Sequence, residues 1–319
     1  MLEINFTDAN LVIKNLFTNF LKNFYIFFLI KFFFFIIFGQ KSCIFALSNY
    51  FFMYNNNNSL LHSIPPATKN IIIVNVILWL MSVTLPRFTG IRLEEYLGLH
   101  YWQASGFNPV QFISYMFMHA TFDEKGQIVF AHLFFNMFGV FMFGRVLEYT
   151  WGAKRFLIYY MVTGIGAGIV QQLAWTVEYT SLINAMNQGI AENSGQALLP
   201  FESILQRLFT FSGDLQSLGA IDISQIKSLF VNHLLTVGAS GSVFALLLAF
   251  GMLFPNQPLY LFFIPVPIKA KYFVIGYAVI ELVLGVGNFS FDNIAHFAHL
   301  GGMIFGYFLI VYWRKHQFR

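Results

Sequence analysis

The sequence predicts an all-α, polytopic membrane protein folded as a six-helix bundle, and two observations predict it. The 319-residue chain is 57% hydrophobic and 19% aromatic but only 10% charged, with a mean hydropathy of +0.65. Ordinary soluble domains carry roughly 25% charged residues. Charge-free runs also recur along the chain, at the length of about 20 residues that a bilayer span requires. These are 70–86, 126–144, 156–177, 228–268 and 293–313, with a further run at 272–291 interrupted only by Glu281. Six spans are therefore expected.

The elements follow in order. Residues 1–52 form a hydrophobic extension, almost solid Phe and Ile over 23–40, with the asparagine run 55–58 just beyond. Three readings compete for it: a seventh span, a targeting segment, or a stretch upstream of a true start at Met53. The last is preferred, because Met53 opens a short polar lead-in, 53–69, of the kind that precedes a first span from the cytoplasmic side. The core then occupies 70–315, with 316–319 as a tail. The run 228–268 is too long for one helix. Pro255, Pro258, Pro265 and Pro267 end a helix near Phe254 and leave a fourth span of 230–253 before a loop to Lys271. Residues 178–228, with five acidic residues against Arg207 and Lys227, are placed outside the bilayer. Within them Phe201, Ile204, Leu205 and Leu208 fall at helical spacing beside Glu202 and Arg207, which suits a short amphipathic helix; ordinary surface packing is preferred for it over a place on the membrane or over a site.

Charge sets the orientation. Lys69, Arg145, Lys154, Arg155, Lys269, Lys271, Arg314, Lys315 and Arg319 share one side; Arg87, Arg92, Lys125, Arg207 and Lys227 are spread over two longer connections. The positive-inside bias makes both ends of the core cytoplasmic. The net charge of +4 is scattered between hydrophobic segments, which points to no nucleic-acid partner. The lone Cys43 excludes thiol catalysis in the core and an internal disulfide.

Polar groups inside spans are costly and mark function or a buried partner. His132 and Asn136, four residues apart in the second span, share one helix face; interhelical hydrogen bonding and a shared cavity are both open readings. Gly238-Ala239-Ser240-Gly241 in the fourth span flanks a serine with glycines, which suits either close helix packing or an unobstructed nucleophile. Ala298-His299-Leu300-Gly301-Gly302 opens the sixth span. Gly302 and Gly306 form a small-xxx-small face that lets another helix approach and could bring His299 to Ser240. His296 and His299, three apart, could hold a metal, but Glu281 is read as too distant to complete such a site. Gly144 and Glu148 read as a structural anchor at the cytoplasmic interface.

Taken in order, His132-x-x-x-Asn136, Gly238-Ala239-Ser240-Gly241 and His299-Leu300-Gly301-Gly302 resemble the rhomboid family of intramembrane serine proteases, over roughly residues 60–315. Met116-Phe117-Met118-His119 in the first external loop is similar to bacterial members. The resemblance implies a Ser240–His299 dyad with no acidic third member, and an oxyanion site of His132, Asn136 and the Ser240 amide. It implies no metal or cofactor. Substrates would be transmembrane proteins reached within the lipid bilayer, past the fifth span and a cap at 287–291. The location would be a cell inner membrane, with the active site opening to the external side. The first loop departs from the pattern by lacking a Trp-Arg pair. The alternative reading is a non-catalytic, rhomboid-like protein that binds membrane clients; a transporter would show inverted repeats, which this sequence lacks.

Overall fold

The computed structural model describes residues 64–123, 125–209, 214–261, 264–287 and 295–316. The expectations for 1–52, for most of the lead-in, for all but the first residue of the cap at 287–291 and for the end of the tail lie outside the described residues.

Helix α1 (Pro66–Thr89) opens with a proline in its first turn, where the missing N–H removes no helical bond, and closes on Gly90 with φ 72°. Glu148 caps its start. The Ala67 amide donates to Glu148 Oε1 at 2.9 Å, and the Thr68 amide and hydroxyl each donate to Oε2 at 2.7 Å. This is the anchoring role expected of Glu148, and it satisfies first-turn amides that no helix can satisfy for itself.

The connection that follows carries two short helical turns, Leu93–Leu97 and Gln111–Ser114, and strand β1 (Leu99–His100). Gln111, buried, ties it together. Its side chain accepts from the amides of His100 and Asn108 and donates to the carbonyls of Gly106 and Tyr96. This network orders the loop internally in a chain that lacks the Trp-Arg pair.

Residues 131–151 are one uninterrupted helical run: α2 (Ala131–Gly139), a π-helical segment (Val140–Gly144) and α3 (Arg145–Trp151). Gly152, with φ 80°, breaks it, and α4 (Ala153–Glu192) follows at once. Helix α4 has 40 residues, hence a length of about 60 Å, roughly twice the hydrocarbon thickness. Residues 178–192, the first part of the 178–228 insertion, continue this helix. Nothing in that stretch stops a helix until Asn193, which adopts φ 50°.

Residues 179–227 form a compact unit with their own core, in which Leu182, Met186, Leu198, Leu205 and Ile223 are fully or almost fully buried. Its helix α5 (Glu202–Leu208) is amphipathic as expected, with Leu205 inside and Glu202 and Gln206 exposed. Helix α6 (Ala220–His233) leads out of it.

The fourth span is corrected. In place of a helix over 230–253, α6 stops at His233, strand β2 (Leu235–Thr236) pairs antiparallel with β1, and α7 (Ser240–Leu253) begins at the serine itself. Gly238 is the physical reason: its φ of 133° is incompatible with a continuous helix. The proline-rich loop is corrected too, being an antiparallel hairpin of β3 (Pro258–Leu261) and β4 (Ile264–Lys269). A two-stranded ribbon has only edges, and prolines are tolerated there.

Helices α8 (Ala270–Gly287) and α9 (His296–His316) complete the chain. Helices α1, α4, α8 and α9 are long and apolar enough to cross a membrane, and α7 is a shorter apolar helix. The molecule is a mostly helical, multi-pass membrane protein. Its main core gathers Leu133, Val140, Leu147, Phe156, Tyr159, Tyr160, Leu246 and Ala249. Polar pins cross it: Tyr159 hydroxyl to Ala245 carbonyl at 2.8 Å and Ser242 hydroxyl to Tyr160 carbonyl at 2.7 Å.

Candidate active site

Ser240 is the first residue of α7. Its own amide and those of the next residues have no intrahelical acceptor, and the positive end of the helix dipole lies there. Gly238 precedes it, its amide held by the Tyr115 carbonyl at 2.9 Å. A Cβ at 238 would lie 2.9 Å from His132 Nε2 and 3.7 Å from Ser240 Oγ. The glycine thus keeps open the space between an imidazole nitrogen and a hydroxyl.

Helix α9 meets α7 at backbone distance. A Cβ on Gly302 would collide with the Gly241 carbonyl, and one on Gly306 with the Tyr159 hydroxyl. Gly301 faces Val170 of α4, where a Cβ would come within 2.6 Å. The small-residue face expected from Gly302 and Gly306 is thus the crossing point of α7 and α9. At that crossing His299 Nε2 stands 2.8 Å from Ser240 Oγ. His299 is buried, and its ring stacks on Phe244 with centroids 4.2 Å apart and planes 8° from parallel. The sequence reading missed Phe244; its only signal is a position four residues after Ser240, on the same helix face.

Glu281 is the larger correction. The sequence reading set it apart as distant and gave it no role. The structure brings its Oε2 to 2.9 Å from His299 Nδ1 and 2.6 Å from His296 Nδ1, with all three side chains buried. The ligand atoms of Glu281, His296 and His299 lie within 4.8 Å of one another. An acidic group therefore stands behind the histidine, contrary to the expectation of none.

His132 is the second residue of α2, and its Nδ1 accepts from the Ala120 amide at 3.3 Å. An imidazole that accepts at Nδ1 carries its proton on Nε2 when neutral, so the nitrogen beside Gly238 is a donor. Asn136 is buried one turn on. Its amide donates to the His132 carbonyl at 2.9 Å, while its Oδ1 has no partner among the described residues. His119, the last residue of the Met116–His119 stretch, is fully buried, 5.1 Å from the His132 ring, and neither of its nitrogens has a partner among the described residues.

A hydroxyl held 2.8 Å from an imidazole nitrogen, at a helix N-terminus and beside a second imidazole N–H, is an arrangement suited to nucleophilic attack and to holding the oxyanion that results. A family model of the Rhomboid domain matches residues 106–182 and 208–316. No curated protein matches the chain. The matched segments cover more than half of the sequence and contain every residue of the cluster just described, and the chain belongs to the rhomboid family, a family of intramembrane serine proteases.

Proposed function

We propose that the protein is an intramembrane serine endopeptidase that cleaves transmembrane protein substrates, with Ser240 as nucleophile and His299 as general base. The observation that carries this reading is the 2.8 Å separation of Ser240 Oγ and His299 Nε2. His299 Nε2 takes the Ser240 proton as Oγ attacks the scissile carbonyl carbon. The tetrahedral oxyanion is received by the Ser240 amide, by His132 Nε2–H and by the second N–H of Asn136. His299 then returns the proton to the leaving amine. Water, deprotonated by the same nitrogen, hydrolyses the acyl ester and frees Ser240. None of these steps calls on a metal or cofactor.

The chain crosses the membrane six times in this reading: α1, the run 131–151, α4, α7, α8 and α9. The basic residues at Lys69, Lys154, Lys269 and Arg314 belong to the cytoplasmic face of an inner membrane, and Ser240 opens toward the other side. The hydrogen bond from Arg314 Nη2 to the Met252 carbonyl, 3.1 Å, fits this, since it caps the end of α7 farthest from Ser240.

Purified chain in liposomes with a single-span substrate, run beside Ser240→Ala and His299→Ala with fluorophosphonate labelling, tests the proposal. Wild type is expected to cut and to label, Ser240→Ala to do neither, and His299→Ala to lose at least about 10³-fold. A folded wild type that neither cuts nor labels across several substrates would sink it, and client binding without catalysis would take its place.

A further inference from the structure

We infer that Glu281 is the positioning residue of this site, holding His299 in the tautomer that can accept the Ser240 proton, and that His296 holds Glu281 in place. The inference rests on the protease reading above. A carboxylate accepts hydrogen bonds and donates none. Both rings therefore carry their proton on Nδ1, pointing at the one oxygen, Oε2, whose lone pairs accommodate both donors. With Nδ1 protonated, His299 Nε2 is left bare, facing the Ser240 hydroxyl at 2.8 Å. The opposite tautomer would put an N–H against Ser240 and leave the site without a base.

The surroundings argue against a merely structural pin. Helix α8 turns Ile275, Val279, Ile280, Leu282, Val283 and Val286 outward, while Glu281 is its one buried charge. Burying a carboxylate in such a place is costly, and an apolar residue would join α8 to α9 more cheaply. What an apolar residue could not do is compensate the imidazolium that His299 becomes when it takes the serine proton. The Ser240–His299–Glu281 line supplies a negative charge there, where little water screens it. His296, one turn before His299, adds a second N–H to the same oxygen and leaves the carboxylate only a narrow range of positions. A bound cation is the competing occupant of these three side chains. The separations of 2.6 and 2.9 Å are those of hydrogen bonds; ligands of a tetrahedral zinc, at about 2.0–2.2 Å from the metal, stand roughly 3.3 Å apart.

The test is Glu281→Gln in the full chain, assayed in liposomes against wild type and Ser240→Ala. The expected result is a kcat lower by about 10²- to 10³-fold with KM within about twofold, slower Ser240 labelling in proportion, and recovery of part of the loss in no variant that lacks the charge. A folded Glu281→Gln with wild-type kcat overturns the inference. It leaves the protease reading standing if Ser240→Ala remains dead, so the two failures are distinguishable. Should Glu281→Gln not fold, nitrogen-15 histidine spectra of the wild type decide: Nδ1–H on both His296 and His299, assigned through His296→Asn and His299→Asn, supports the inference, and Nε2–H on His299 overturns it. Loss of activity on chelation, restored by zinc, would overturn it in favour of a metal.

Discussion

Two of the buried carboxylates among the described residues, Glu148 and Glu281, differ in who their partners are. Glu148 in α3 and Glu281 in α8 are 3% and 5% exposed. Each accepts more than one hydrogen bond from another helix. The donors to Glu148 are two backbone amides and a threonine hydroxyl, groups that keep their protons throughout. The partners of Glu281 are two imidazoles, groups that can gain or lose a proton, one of them touching the serine. Burial of an acid thus diagnoses little by itself; whether its partners can exchange protons separates a fastening from a working part.

The comparison can be broken by exchanging the consequences. Glu281→Gln is expected to lose about 10²- to 10³-fold in kcat while unfolding at nearly the wild-type denaturant concentration. Glu148→Gln should do the reverse: turnover per folded molecule within about twofold, and stability lower by about 1–3 kcal/mol, as an NH2 replaces one of the two oxygens that accept from the first turn of α1. Titration of unfolding in mixed micelles, paired with single-turnover cleavage, reads both. Equal effects of the two variants on turnover would end the distinction.

Smaller changes sharpen it. Gly302→Val forces the Gly241 carbonyl away from α9 and is expected to cost about 10²-fold in turnover, because it parts Ser240 from His299. His296→Asn should lower kcat about tenfold, leaving Glu281 one donor fewer but still facing His299. Phe244→Leu removes the ring stacked on His299, a contact of about 0.5–1.5 kcal/mol, and should slow turnover by about three- to tenfold. The smallest expected effect is that of Thr68→Val, which deletes one donor to Glu148: about 1 kcal/mol of stability, with turnover unchanged.

Much of this was legible in the sequence, because lipid makes charge-free runs obligatory and leaves intramembrane histidines and serines conspicuous. Ser240, His299, His132 and the Gly302–Gly306 face are all found on helices, as their spacing indicated. Glu281 was visible as a lone carboxylate in an apolar run, yet its role was not. It is 15 residues from His296 and 18 from His299, and only the turn of α8 toward α9 decides whether they meet. A reading by charge-free runs was also blind to the start of α7, since residues 230–239 carry no Asp, Glu, Lys or Arg. The left-handed backbone at Gly238, not composition, divides them. The π-helical segment in the run 131–151 has no sequence mark that we can name.

The length of α7 has one more consequence. Its 14 residues reach about 21 Å, short of the roughly 30 Å of hydrocarbon. On the proposed six-span reading, with its far end tied to Arg314 at the cytoplasmic interface, its first residue would lie about 9 Å beneath the other. On the same reading that depth would act as a ruler: a substrate helix entering from that side would descend about six residues before it drew level with Ser240, and the depth of the proposed nucleophile would select which peptide bond is presented.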